Sequence, residues 1–218
     1  MNRTLSIILS AICAISPMIA QELSEEDKSA LQERTKQKVE EFQGYTSNIA
    51  NGNLSHERRR SSIESAMELF IGKGAPYTLT QEVVNRKTGE VKNIDKTKSS
   101  VKMQVSSINR SWISSKPMRE YLNALYRQSI IYSDVRIESS DVVRVDNLHK
   151  VAEGRYEAMA YYCQRYARYD DRGRLTYGDV SRKKVKVYVT AKEIPFVGTI
   201  YEVQLGDVYV VSTKRLWE

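Results

Sequence analysis

The sequence predicts an α+β domain in which three helices pack on the concave face of a strongly curved antiparallel sheet. Helical periodicity dominates the first part of the chain, and strand-like alternation dominates the last part. Between them, Gly154 to Tyr169 carries five tyrosines in sixteen residues. Together with the segment that continues to Val189, this stretch has the pattern of a long hairpin in the middle of the sheet.

The first twenty residues have the layout of a secretory signal peptide. A basic start at Arg3 precedes an apolar run from Leu5 to Ile15, and Ala20 offers a small residue before the polar Gln21. The alternative is a retained anchor, for which this run is short. We therefore expect residues 1–20 to be removed, residues 21–218 to form a single domain without a transmembrane segment, and the protein to be periplasmic or extracellular.

The net charge limits the classes of binding partner, and the cysteine content limits the possible disulfide bonds. The chain has 34 Lys and Arg against 27 Asp and Glu, a net charge of +7. In an exported protein this positive charge indicates glycans, cell-wall polymers or lipid headgroups as partners rather than nucleic acid. The alternative is that the charge only keeps the protein soluble. After signal removal only Cys163 remains, so the sequence predicts no internal disulfide bond.

Two helices are predicted at the start of the mature chain. Ser24 is a capping residue for the first, which we expect to end at Asn51-Gly52-Asn53 through residues that tolerate positive φ. Ser55 caps the second, and Gly72 to Pro76 breaks it. Apolar residues spaced by three and four mark the buried faces: Leu31, Val39, Phe42, Tyr45 and Ile49 in the first helix, and Ile63, Ala66, Met67 and Phe70 in the second.

Short strands and a third helix follow. A hairpin is predicted from Leu79–Val84 and Glu90–Ile94, then a strand at Val101–Val105. Pro117 opens the third helix, whose inner stripe is Met118, Tyr121, Leu122 and Leu125.

Four long strands then form an antiparallel meander. The first runs from Val135 to Val145 with a bulge at Ser139-Ser140, and the second is Arg155–Tyr169. The third is centred on Val185–Val189, and the last runs from Tyr201 through Gly206-Asp207 to Val211.

This order of elements resembles the nuclear transport factor two-like superfamily, whose cystatin-like cone fold also serves ketosteroid isomerase and scytalone dehydratase. The segments Met118–Leu125 and Tyr132–Val135 look like those of uncharacterised exported bacterial members. The resemblance implies a pocket at the open end of the cone, and dimerisation through the sheet. The fold hosts enzymes and non-enzymes alike, so it implies no particular reaction.

The even-numbered face of Arg155–Tyr169 carries fewer charges than the odd face and is the candidate concave side. It supplies the candidate pocket residues Tyr156, Tyr162, Gln164 and Tyr166. The alternative interpretation is that these tyrosines simply fill the core and bond through their hydroxyls.

The odd face then points outward with Tyr161, Cys163, Arg165 and Tyr169. Basic residues occur in the runs Arg58–Arg60 and Arg182–Lys184, and Lys184 and Lys186 alternate with valines as on a solvated strand face. A candidate interaction surface therefore comprises Tyr161, Tyr169, Lys184, Lys186 and Tyr188. Cys163 conflicts with this arrangement because a lone thiol in an oxidising compartment is safer buried; either a partner covers this face or a bulge reverses the alternation.

No catalytic residue, metal site or cofactor is predicted. His56 lies in a helical first turn and His149 in a turn, and neither has a second ligand at metal-binding spacing. Cys163 lacks a basic partner nearby in sequence other than Arg165. We therefore expect a non-catalytic module of the cell envelope that binds a small molecule, a glycan or another protein. The resemblance also implies a homodimer. The alternative is an isomerase, dehydratase or hydrolase that uses a carboxylate or histidine near Tyr156, Tyr162 or Tyr166.

Overall fold

A computed structural model describes residues 23–109, 112–132, 134–139 and 143–216, so the predicted signal peptide lies outside the described residues. The protein is α+β, as predicted. The three helices are α1 (Glu25–Ala50), α2 (His56–Glu68) and α3 (Met118–Ile131). The strands are β1 (Tyr77–Val84), β2 (Val91–Lys98), β3 (Lys102–Val105), β4 (Ser114–Pro117), β5 (Asp134–Ser139), β6 (Arg144–Val145), β7 (His149–Ala152), β8 (Arg155–Tyr169), β9 (Leu175–Ile194) and β10 (Gly198–Arg215).

The helices begin where the capping residues predict. The Ser24 hydroxyl accepts a hydrogen bond from the Asp27 amide, and the Ser55 hydroxyl accepts one from the Arg58 amide. The predicted end of α1 is confirmed but its mechanism is wrong. Asn51 is extended, with φ −75°, rather than left-handed. Gly52 serves instead for close approach, because a Cβ there would lie 3.3 Å from the Ser129 carbonyl oxygen.

β1 and β2 form a separate two-stranded hairpin, while the large sheet has the order β4-β3-β10-β9-β8-β5, with β6 and β7 also paired to β8. β5, β8, β9 and β10 are antiparallel, as predicted. Outside this meander, β3 joins the same sheet and lies parallel to β10. The chain enters β3 from the β1–β2 hairpin and continues into β4. The sequence pattern did not predict the pairing of β3 with β10.

The strands differ from prediction mainly in length. β8 has the predicted bounds, whereas β9 extends well beyond Val185–Val189 in both directions. The segment predicted as one strand from Val135 to Val145 is two strands, β5 and β6, and both pair with β8. Ser140 itself lies outside the described residues. His149 begins β7 rather than lying in a turn.

The even face of β8 forms the core with the helices. Tyr156, Ala158, Ala160 and Tyr162 are buried there, beside the inward valines of β9. α1 packs across β5, β8 and β10, and α3 packs beside β3, β4 and β5. The register with β9 is regular from Arg155 to Arg168, so no bulge reverses the alternation within β8. No helix in the described parts of the chain is long and apolar enough to cross a bilayer.

Candidate functional site

The inner face of the sheet changes from apolar to polar near Tyr162. Beyond this residue, β8 turns Gln164, Tyr166 and Arg168 inward, and β9 faces them with Ser181, Asp179 and Tyr177. α3 does not fill the space above them, which leaves a cavity of about 490 Å³. Its other walls come from α3 and the β3–β4 region, including Val105, Ser106, Ser107, Lys116, Tyr121, Leu125 and Gln128.

Lys183 is the most unusual residue of the cavity. It pairs with Tyr162 across the strands and is only 5% exposed. Its ammonium donates a hydrogen bond of 2.6 Å to Gln164 Oε1 and lies 5.7 Å from the centre of the Tyr121 ring. Burial lowers the pKa of Lys183 to about 8, although the charge of Asp179 partly opposes the shift.

Gln164 is held from the other side by α1. Its Nε2 donates to Thr46 Oγ1 at 3.4 Å, and the Thr46 hydroxyl donates to the Gln43 carbonyl oxygen at 2.9 Å. The amide oxygen is therefore turned toward Lys183, since the NH2 group is used by α1. An uncharged acceptor holds the ammonium in place without neutralising it.

Asp179 is the buried carboxylate of the cavity. Tyr177 donates a hydrogen bond of 2.6 Å to Asp179 Oδ2, and the Tyr177 hydroxyl also contacts Ser107 Oγ at 2.9 Å. Burial raises the pKa of Asp179, while the Tyr177 hydrogen bond and the Lys183 charge oppose that rise. A carboxyl group in this position is able to exchange a proton with a bound ligand.

Aromatic rings line the remaining wall. The Arg168 guanidinium lies between the rings of Tyr132 and Tyr177, 4.3 and 4.9 Å from their centres. Burial raises the pKa of Tyr166 to about 12, and its hydroxyl donates to Gln128 Oε1 at 3.1 Å. Tyr121 is shifted in the same direction by burial, so both phenols stay protonated at physiological pH.

The predicted pocket residues divide into two pairs. Gln164 and Tyr166 line the cavity. Tyr156 and Tyr162 are packed in the apolar core instead. The Tyr162 hydroxyl is buried and has no hydrogen-bond partner among the described residues. The carboxylate required by the enzyme interpretation exists as Asp179, which faces Tyr166 in register but bonds to Tyr177.

The predicted outer surface is largely self-paired. Arg144 lies over Tyr161, and Arg136 lies over Tyr169. Lys184 approaches the Tyr209 ring at 6.0 Å. These pairs are intramolecular, and each leaves its tyrosine partly exposed.

Tyr188 corrects the prediction for this surface, because it is only 5% exposed. Its ring lies over Gly206, where an added Cβ would come within 2.5 Å of it. The bulge between Leu205 and Val208 places that glycine opposite the ring. Lys186 completes the arrangement by an ion pair of 2.8 Å with Glu157.

Cys163 does lie on the outer face but is only 8% exposed. The chain itself buries this thiol, so the conflict seen in the sequence needs neither a bulge nor a partner. Arg165, two residues away on the same face, is partly exposed and lies 3.6 Å from Glu138.

Sequence reasoning missed Lys183, Asp179 and Arg168. The sequence predicts Lys183 as part of a solvated basic run with Arg182 and Lys184. Lys183 is two residues from Val185 and four from Val187, and residues two apart on a strand share a face. This spacing places Lys183 on the inner face with the two valines. The same parity marks Asp179.

No group of three or more potential metal ligands comes together in the part of the chain that the structure describes. His56 and His149 are both exposed, and His56 Nδ1 lies 2.7 Å from the Tyr126 hydroxyl. The sequence matches no protein-family model and no curated protein, so the cavity must be interpreted from its own chemistry.

Proposed function

We propose that this protein is an exported ligand-binding module of the cell envelope, and that it binds a small organic anion in the cavity. The observation that carries the proposal is the Lys183 ammonium. It lies inside the cavity with the neutral Gln164 oxygen as its hydrogen-bond acceptor. A buried cation is costly unless it is paired, and an anionic ligand supplies the missing partner.

The charges around the cavity favour an anion. Lys183, Arg168 and Lys116 contribute three cations to its lining, while Asp179 contributes one carboxylate. Below pH 8 most Lys183 side chains carry a proton. A negatively charged group beside Lys183 is stabilised by a charge-assisted hydrogen bond, in an environment where water competes weakly.

The size and the rings indicate the rest of the ligand. A volume of about 490 Å³ lies within the range of small-molecule sites. Tyr121, Tyr166 and Tyr177 offer flat apolar surfaces beside polar hydroxyls. A planar or aromatic body with one acidic group fits this combination.

Two further considerations support the proposal. The signal-peptide pattern of residues 1–20 favours an envelope location. The resemblance to cone-fold proteins implies a pocket at the open end of the cone, and a cavity between α3 and the inner sheet face supports a binding role. Dimerisation through the outer face stays a prediction of the same resemblance.

Paired ligands test the proposal by calorimetry. We expect 4-hydroxybenzoate and 4-hydroxyphenylacetate to bind the mature protein at least about tenfold more tightly than their uncharged amides, since a charge-assisted hydrogen bond contributes about 1.5–3 kcal/mol. Lys183→Met removes that preference. Lys184→Met is the matched control, because Lys184 points to the outer face, and it keeps the preference. Equal affinity for acids and amides, or an acid preference that survives Lys183→Met, contradicts the proposal.

A further inference from the structure

The cavity has the parts needed for chemistry on a carbonyl group. An amine, a carboxylate and a hydroxyl face the same space from one strand, with Lys183, Ser181 and Asp179 at alternate positions of β9. Ser181 is buried between the other two, and its hydroxyl lies 3.0 Å from Thr213 Oγ1. The amine is thus separated from the carboxylate by one small inward side chain.

We infer that Lys183 Nζ forms a reversible imine with small aldehydes or ketones that carry a carboxylate, within the cavity. This inference rests on the proposed function, since the carboxylate of the ligand would use the same cationic lining. It adds a covalent step that anion binding does not require.

The position of the amine favours this step. Its one hydrogen bond in the described structure goes to an amide oxygen, so deprotonation breaks no ion pair. The flat face of Tyr121 lies on one side of it. When the carbonyl carbon of a planar compound reaches Nζ, the other cations of the lining, Arg168 and Lys116, remain available to its carboxylate.

The bond changes balance without a further reagent. The neutral Nζ attacks the carbonyl carbon, and the carbonyl π electrons move to oxygen. That oxygen takes a proton while the nitrogen releases one, which gives a neutral carbinolamine. The hydroxyl group then leaves with a second proton as water, and the C=N bond forms. Asp179 and the Tyr177 hydroxyl bonded to it are the nearby groups able to supply and recover these protons. Because the pKa of Lys183 is about 8, an appreciable fraction of the amine is neutral near pH 7.

Reductive trapping tests the inference. The mature protein is incubated with 4-formylbenzoate and sodium cyanoborohydride, and the modified lysines are located by peptide mass spectrometry. We expect Lys183 to be labelled at least about tenfold faster than any surface lysine, with a rate that rises with pH and levels off above pH 8. Lys183→Arg removes this label, whereas Lys184→Arg leaves it unchanged. Asp179→Asn slows labelling severalfold.

Failure of the inference and failure of the proposed function give different results. The matched alcohol 4-(hydroxymethyl)benzoate carries the same acid but no carbonyl, and its affinity is measured by calorimetry. If the alcohol binds and 4-formylbenzoate labels only surface lysines, anion binding stands and the imine is wrong. If neither compound binds and labelling is scattered, both proposals are wrong. Labelling of Lys183 that persists unchanged in the presence of excess alcohol also contradicts the inference, because the two compounds then do not share the cavity.

Discussion

Arg59 and Lys183 are both buried cations, and they differ in what satisfies them. Each belongs to a basic run whose neighbours are exposed or half-exposed, and each is turned into the protein, at 2% and 5% exposure. Arg59 joins the ends of α1 and α3. It donates to the Ile49 carbonyl at 3.2 Å, to the Tyr126 carbonyl at 3.0 Å and to Ser129 Oγ, and its guanidinium lies over the Tyr126 ring.

Lys183, in contrast, donates one hydrogen bond to one amide oxygen in the described structure. The helix ends present carbonyl oxygens that need donors, so Arg59 and its acceptors satisfy each other. The inner sheet face at Lys183 presents hydroxyls, rings and empty space. The difference indicates that Arg59 stabilises the fold, while Lys183 costs stability that an anionic ligand would recover.

The largest expected effect is at Arg59. Arg59→Met removes three hydrogen bonds made by a charged donor, and we expect the free energy of unfolding to fall by about 3–5 kcal/mol, since each such bond contributes about 1.5–3 kcal/mol. Urea unfolding at pH 7 measures the loss. Arg60→Met, at an exposed neighbouring position of α2, serves as the control and changes stability by less than about 0.5 kcal/mol. A loss at Arg59 no larger than that of the control would remove the structural role.

Lys183→Met is expected to act in the opposite direction at neutral pH. The pKa of Lys183 falls from 10.5 to about 8 on folding, and each unit corresponds to about 1.4 kcal/mol, so the buried charge costs about 3 kcal/mol below pH 8. Loss of the hydrogen bond to Gln164 lowers the stability of the variant by about 1 kcal/mol. The variant is then more stable than the wild type by about 2 kcal/mol at pH 7.

This advantage disappears on raising the pH. Between pH 8 and 10.5 the unfolded chain binds the proton that the folded protein has released, so the wild type gains stability with pH and the variant does not. Urea unfolding of both proteins at pH 7, 9 and 10.5 measures the difference. Lys184→Met supplies the control, which should follow the wild type at every pH. A Lys183→Met difference that does not change with pH contradicts the buried charge.

Local rules were sufficient for most of the fold. Ser24 and Ser55 accept hydrogen bonds from amides within their own first turns, so the starts of α1 and α2 could be located from the sequence. The strong alternating pattern of β8 likewise located that strand. The parallel contact of β3 with β10 could not, because it depends on how the β1–β2 hairpin returns the chain to the sheet. Nor could the burial of Tyr188, which depends on Gly206 across the strand pair.

The candidate site was predictable in part. Gln164 and Tyr166 follow from the even face of β8, but the same face contributes Tyr156 and Tyr162 to the apolar core. Periodicity gives the face of a residue and not the packing above it. The cavity begins where α1 stops covering the sheet and α3 stands away from it, and this boundary is a tertiary property. Lys183 was within reach of the strand parity, but its charge favoured the solvated interpretation.

The smallest expected effect in the comparison of Arg59 with Lys183 is at Asp179. Its carboxylate is buried at 6% exposure, yet the Tyr177 hydroxyl and the Lys183 charge both favour its ionised form, so the rise in its pKa is partly offset. Because the folded pKa lies above the unfolded value of 3.8, ionisation at higher pH favours unfolding. Asp179→Asn keeps an oxygen acceptor for Tyr177 and removes the ionisation. We expect the variant to be more stable than the wild type at pH 7, with a difference that vanishes as the pH falls toward 4.

The same substitution shows whether the two cavity charges act on each other. In a Lys183→Met background Asp179 loses a favourable charge, so Asp179→Asn should stabilise that protein more than it stabilises the wild type. In an Arg59→Met background the effect of Asp179→Asn should be unchanged, because Arg59 bonds to the Ile49 and Tyr126 carbonyl oxygens and not to the cavity residues. Urea unfolding of the four proteins in each cycle measures both coupling energies. Equal coupling of Asp179 to Lys183 and to Arg59 would mean that the two buried cations do not differ as their hydrogen bonds indicate.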